Sequence, residues 1–138
     1  MRTIFTSLLV LGLSCFSTKK AVAQTNQLNG TWVPVKQEIG GKDLPKAVYE
    51  KQKLVIIDSN YIVSAESIDK GTVRYGDDNK MDIYGKEGVN TGRHFTAIYK
   101  FENDQLTICY NLAGDSYPDS FETQSRATLF LSIFKKQQ

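Results

Sequence analysis

The chain has 138 residues, room for one domain, with 17 basic and 15 acidic side chains and a formal net charge of +2 at pH 7. Three of the basic residues (Arg2, Lys19, Lys20) and none of the acids precede residue 24, so the remainder carries 14 against 15, a net of −1. That balance lacks the basic footprint that nucleic acid or an anionic membrane requires.

The opening stretch, MRTIFTSLLVLGLSCFSTKKAVAQ, sets one early arginine before an apolar run from Ile4 to Phe16, then a polar patch and Ala21-Val22-Ala23. This is the layout of a secretory signal peptide over residues 1–23, with small residues at the −3 and −1 positions of a cut ahead of Gln24. Leu13-Ser14-Cys15 supports a second reading, a lipoprotein signal over 1–14 with Cys15 as the lipidated first residue. Both predict export, to the periplasm or outside the cell, the second with an envelope anchor. The apolar run is 13 residues, short of the roughly 20 of a spanning helix, so no transmembrane span is expected. Past residue 23 the one cysteine is Cys109, which leaves no internal disulfide. It sits in the apolar run Leu106 to Tyr110, where a buried inert thiol is expected.

Residues 24–138 read as one domain of short alternating runs broken by turn residues, with almost no helical period. A strand over 30–38 meets the turn Gly40-Gly41-Lys42-Asp43. Pro45, suited to a first helical turn, opens a short helix over 45–52. Strands then follow over 53–58, 60–66, 70–76 and 79–84. The loop GKEGVNTG leads to strands over 93–101 and 105–110, a short extended piece near Ser120-Phe121-Glu122, and a last strand over 127–134. Asp58-Ser59-Asn60, Gly76-Asp77-Asp78-Asn79 and Glu102-Asn103-Asp104 supply hairpin turns, so neighbouring strands are antiparallel. Eight strands in simple succession make either a sandwich or a closed up-and-down barrel, and closure removes exposed edges. In 93–101, Phe95, Ala97, Tyr99 and Phe101 share one face against His94, Thr96, Ile98 and Lys100. In 127–134, Leu129, Leu131 and Ile133 oppose Phe130, Ser132 and Phe134. Such faces suit a barrel whose interior is part filled and part cavity. Pro34 marks a bulge in the first strand.

Gly30-Thr31-Trp32 on the first strand of this meander resembles the G-x-W signature of lipocalins and their calycin relatives. The resemblance implies that Gly30 and Trp32 belong to the closed end of an all-β, antiparallel, eight-stranded barrel, with a basic side chain across the indole. A cation over that ring contributes about 0.5–2 kcal/mol. If the last strand pairs with the first, Lys135 or Lys136 comes near Trp32, and Lys135 is given the role. The superfamily usually has arginine there, and the nearest one, Arg126, lies at the wrong end of the strand.

A longer stretch, residues 28 to 136, resembles a family of small exported bacterial proteins with a lipocalin-like domain, expanded in planctomycetes. The matching pieces are LNGTW, GGKDLP, the run around Leu54 to Tyr61, Lys70-Gly71-Thr72, Gly88 to Gly92, Ala97-Ile98-Tyr99, Asn103 to Cys109, and Tyr117-Pro118-Asp119-Ser120-Phe121. The family tends to have arginine where this chain has Tyr117. The likeness implies a fold and no established activity.

Chemistry-bearing residues are few. His94 is the one histidine, too little for a zinc site, although with Arg93 it would face an anion at a barrel mouth. Asp77-Asp78-Asn79 with Asp82 does not fit a calcium loop, and no metal or cofactor is expected. There is no G-x-S-x-G elbow and no pairing of acids, so no catalytic residue is assigned and an enzyme is not expected. The tyrosines Tyr61, Tyr75, Tyr84, Tyr99 and Tyr110 lie on predicted strands, either turned half outward and half into the core or lining a pocket for an amphipathic molecule. The candidate ligand set is Trp32, Tyr75, Tyr84, His94, Tyr99 and Tyr110. The expected function is a monomeric binding module for a hydrophobic or amphipathic small molecule in the cell envelope. The alternative is a protein-interaction module, an inhibitor or immunity-type protein, that uses GKEGVNTG or Tyr117-Pro118.

Overall fold

The computed structural model describes residues 27–138. The expected export signal, with its cut ahead of Gln24 or its lipidated Cys15, lies outside the described residues. In chain order the elements are β1 (Gly30–Ile39), β2 (Lys42–Asp43), α1 (Lys46–Tyr49), β3 (Lys53–Ile57), β4 (Asn60–Ser64), β5 (Ile68–Tyr75), β6 (Lys80–Glu87), β7 (His94–Glu102), β8 (Gln105–Asn111) and β9 (Leu129–Lys136). From β3 to β9 each strand pairs antiparallel with the next. β1 joins β3 through Gly30 to Trp32 and closes on β9 from Trp32↔Lys136 to Ile39↔Phe130. The result is a closed, antiparallel, eight-stranded barrel, with β2 a two-residue hairpin flap on β1. Of the sandwich and the barrel, the chain forms the barrel.

The turns do what their residues allow. Asp58, the pair Asp78 and Asn79, and the pair Asn103 and Asp104 all take left-handed backbone angles, with φ between 52° and 60°. Two successive left-handed residues make the tight hairpin whose twist matches its strands. In the β1–β9 ladder the register shifts between Pro34 and Lys36, because proline brings no N–H to the ladder and a bulge absorbs the missing bond. The helix is one turn, shorter than expected over 45–52. No strand forms at 120–122, where Phe121 instead packs on the barrel wall.

Inside, Leu54, Ile56, Val73, Met81, Phe95, Ala97, Tyr99, Leu106, Ile108 and Phe134 form one core. The long connection 112–128, here called the strap, lies across the outer wall. It covers a second cluster of Cys109, Leu129 and Leu131 with Ile98, Phe121 and Ile133. Both faces of β9 are therefore buried: Phe130, Ser132 and Phe134 face inward, and the leucines face the strap. Burial under the strap also pushes the Cys109 thiol up to about 11.

One end of the barrel is plugged. Trp32 is fully buried, donates from Nε1 to the Leu28 carbonyl at 2.8 Å, and meets Phe101 edge-on at 6.0 Å. The cation over the indole is Lys136, with Nζ 5.5 Å from the ring centre. The expected Lys135 is not the one. Inward residues of β9 alternate, so Lys136 shares the face of Phe134 and lies across the plugged end, while Lys135 points out. Gly30 makes this fit: a Cβ there would lie 2.6 Å from Cε of Lys136, and its φ of +142° disfavours side chains.

Candidate functional site

A cavity of about 430 Å³ occupies the half of the barrel away from Trp32. Its deep wall is apolar, with Leu54, Ile56, Val73, Met81, Ile83, Ile108 and Phe134, while its rim brings Gln52, Lys53, Ser67, Asn90 and Arg93. Volume and lining both fall in the range of small-molecule sites, which run about 300–1,000 Å³ and are mostly apolar with few placed polar groups.

Two strand glycines shape this half. Gly71 and Gly85 face each other across β5 and β6, beside a register shift at Lys70. A Cβ on Gly71 would meet the Tyr84 carbonyl oxygen at 2.0 Å and the Tyr61 ring at 2.6 Å. The missing side chain is what lets Tyr61 lean along the wall. A Cβ on Gly85 would meet the Asn90 carbonyl oxygen at 1.8 Å, so the loop 88–92 can fold back over the strand ends. The two placements meet at Asp69, on β5 and 9% exposed. Its carboxylate accepts from the Tyr61 hydroxyl at 3.3 Å, from the Asn90 backbone N–H at 3.3 Å and from Asn90 Nδ2 at 3.0 Å. Opposite, Gln37 of β1 donates from Nε2 to Gln52 Oε1 at 2.9 Å and to Ser132 Oγ at 3.2 Å.

The hydroxyls of this interior stay protonated at neutral pH. Burial, then the charge of Asp69 and its hydrogen bond, push Tyr61 up to about 12. Burial also raises Tyr110, helped by Tyr61 beside it. Tyr110 is half-buried, lines the cavity and stacks on Phe130 at 5.6 Å.

Of the six candidate ligand residues, Tyr110 lines the cavity. Trp32 belongs to the plug. Tyr75 and Tyr99 point inward but pack edge to face at 6.2 Å in the filled half, and burial raises both. Tyr84 and His94 stand on the outer wall, stacked at 4.8 Å. His94 Nε2 lies 2.7 Å from Asp82 Oδ1, and the Tyr117 hydroxyl donates to Oδ2 of the same carboxylate. His94 and Arg93 are thus separated: Arg93 sits at the mouth over the Phe95 ring at 4.9 Å, and its neighbour faces away from it. Arg93 immediately precedes β7 and lines the cavity, while His94 is turned to the outer wall, so the two do not hold one ligand inside. Asp78 and Asn79 form their hairpin. Among the described residues no group of three or more His, Cys, Asp or Glu is placed to hold a metal ion.

Asp69, Asn90, Gln37 and Phe130 are absent as site residues from the sequence-based expectation, and Tyr61 stands there only among the strand tyrosines, outside the six-residue ligand set. Glycine inside two strands was the available signal for Tyr61 and Asn90, since it marks a close approach of another group. No protein-family model matches the chain, no curated protein matches it, and no solved structure matches it.

Proposed function

We propose that this protein is an exported binding module of the lipocalin-like kind, which takes a hydrophobic or amphipathic small molecule into one end of its barrel. The observation that carries this is the cavity: about 430 Å³, with an apolar depth and a polar rim, in a barrel whose other end is plugged by Trp32. The family of exported lipocalin-like proteins is the relationship we propose, on the pieces from LNGTW to Tyr117-Pro118-Asp119-Ser120-Phe121. Export to the envelope, soluble or through Cys15, belongs to the same proposal. A protein-interaction role would draw on Val89, 79% exposed, and Tyr117, 37% exposed. Yet Val89 lines the cavity mouth and the Tyr117 hydroxyl is tied to Asp82, so both already serve the barrel.

Native mass spectrometry of the protein purified from its own cell envelope tests the reading. The expected result is a small adduct that leaves on denaturation, on a chain that starts at Gln24 or at an acylated Cys15. A bare protein, or one that carries a second polypeptide, would overturn it.

A further inference from the structure

The hydrogen-bond donors in the depth of the cavity are almost all committed. Gln37 uses both amide hydrogens, on Gln52 and Ser132. Asp69 accepts three bonds, and Tyr61 spends its one O–H on Asp69. The exception is Tyr110. Its hydroxyl makes no hydrogen bond among the described residues, and the half-buried side chain lines the cavity beside Tyr61 and Phe130. The one fully buried side-chain hydroxyl without a partner among the described residues, Tyr99 Oη, does not line the cavity. A phenol in apolar surroundings needs an acceptor, because a donor left unmade there keeps its desolvation cost.

The neighbours of Tyr110 decide which acceptor fits. A carboxylate at this depth would be stripped of water close to the Asp69 carboxylate, with Lys53 and Arg93 out at the rim, so an anion is penalised. An ammonium would be drawn by the Asp69 charge, but it has no acceptor for the Tyr110 proton and would lose its water on entering an apolar depth. A neutral oxygen suits all three groups: it accepts from Tyr110, and an alcohol's own proton has the Tyr61 oxygen to donate to.

We propose that the cavity selects neutral amphiphiles that carry an alcohol or carbonyl oxygen, and that Tyr110 is the residue that reads that oxygen. The proposal rests on the binding reading above and narrows it. The test is equilibrium dialysis of the purified, delipidated protein against radiolabelled decane, decanol, decanoate and decylamine, chosen for equal chain length. Decanol is expected to bind tightest. In Tyr110→Phe the affinity for decanol falls about fivefold while that for decane stays within about twofold, since one neutral hydrogen bond is lost. Melting curves for the two proteins confirm that the variant folds, and the wild-type ranking stands as evidence without it. Tightest binding of decanoate or decylamine, or a Tyr110→Phe protein with unchanged preference, would overturn the proposal while the binding module stands. Failure of all four to bind would overturn both.

Discussion

The strap is joined to β6 by one polar contact, the Tyr117 hydroxyl donating to Oδ2 of Asp82. Asp82 is 8% exposed and also faces His94 at 2.7 Å and Arg74 at 3.9 Å. Burial pushes its carboxyl up, but the hydrogen bonds from Tyr117 and His94, with the charges of His94 and Arg74, outweigh that and hold it below the ordinary 3.8. A hydrogen bond to a charged group contributes about 1.5–3 kcal/mol. Tyr117 is 37% exposed, so water replaces part of the loss, and Tyr117→Phe should cost about 1–2 kcal/mol. Each kcal/mol lowers Tm by roughly 4–8 °C in a domain near this size.

The strap covers Cys109, which is fully buried, and thereby gives a second readout. A loss of one or two kcal/mol raises the open population about 5–30-fold. The rate of Cys109 modification by a thiol reagent, mapped to its own peptide by mass spectrometry, should rise by the same factor. The pH dependence follows from the lowered carboxyl. Between the folded and unfolded values the unfolded chain binds more protons, so stability rises with pH there. The bond's contribution is complete above the ordinary carboxylate range and is lost as pH falls through the lowered value. The Tm gap between wild type and Tyr117→Phe is therefore widest near neutrality and narrows below about pH 4. Equal Cys109 labelling in the two proteins, or a Tm gap that widens in acid, would refute this account of the strap.

Gly71→Ala should destabilise the barrel by about 1–3 kcal/mol or more, because the new methyl meets the Tyr84 carbonyl at 2.0 Å. Gly76→Ala, with nothing nearer than 3.8 Å, should leave the urea midpoint nearly unchanged. Lys136→Met should lose about 0.5–1 kcal/mol of cation–π stabilisation over Trp32, and Lys135→Met should lose none. Thermal melts at low salt compare the two, and equal losses would sink the assignment of Lys136. Val73→Phe places a ring in the cavity that Val73 lines. The expected outcome is abolished small-molecule uptake in the dialysis assay with a melting temperature within a few degrees of wild type.

Strand number, order and turns were legible because each is a local property. Alternation fixes a strand, and Asn103-Asp104 or Asp78-Asn79 fixes a hairpin, whatever the rest of the chain does. Closure was legible only as one of two solutions, since the pairing of β1 with β9 is the most non-local contact in the fold. Which face of β9 points inward was not legible at all. Leu129, Leu131 and Ile133 are as apolar as Phe130 and Phe134, because the strap buries the outer face as thoroughly as the barrel buries the inner one. The same parity decides between Lys135 and Lys136, so one unresolved face produced one misplaced lysine. Tyr84 and His94 drew attention by residue type, yet their strand positions turn them out to Asp82 and Tyr117.

The cavity is encoded less by aromatic residues than by the two glycines beneath it. The interior of an eight-stranded barrel is just wide enough for side chains to fill, so an opening is favoured when some of them are held aside. Gly71 lets the Tyr61 ring lie against the wall instead of across the lumen, and Gly85 lets Asn90 fold in from the rim. Asp69 then joins the two with three hydrogen bonds, which fixes Tyr61 in its leaning position. Removing either glycine would drive a side chain back toward the space that Tyr110 faces. The opening is therefore a built feature of β5 and β6, sustained by a polar bracket on one wall, while Tyr110 on the opposite wall is left with its hydroxyl uncommitted. A cavity kept open at that cost, with one donor unanswered inside it, is the arrangement expected of a site whose last hydrogen bond is supplied by what it binds.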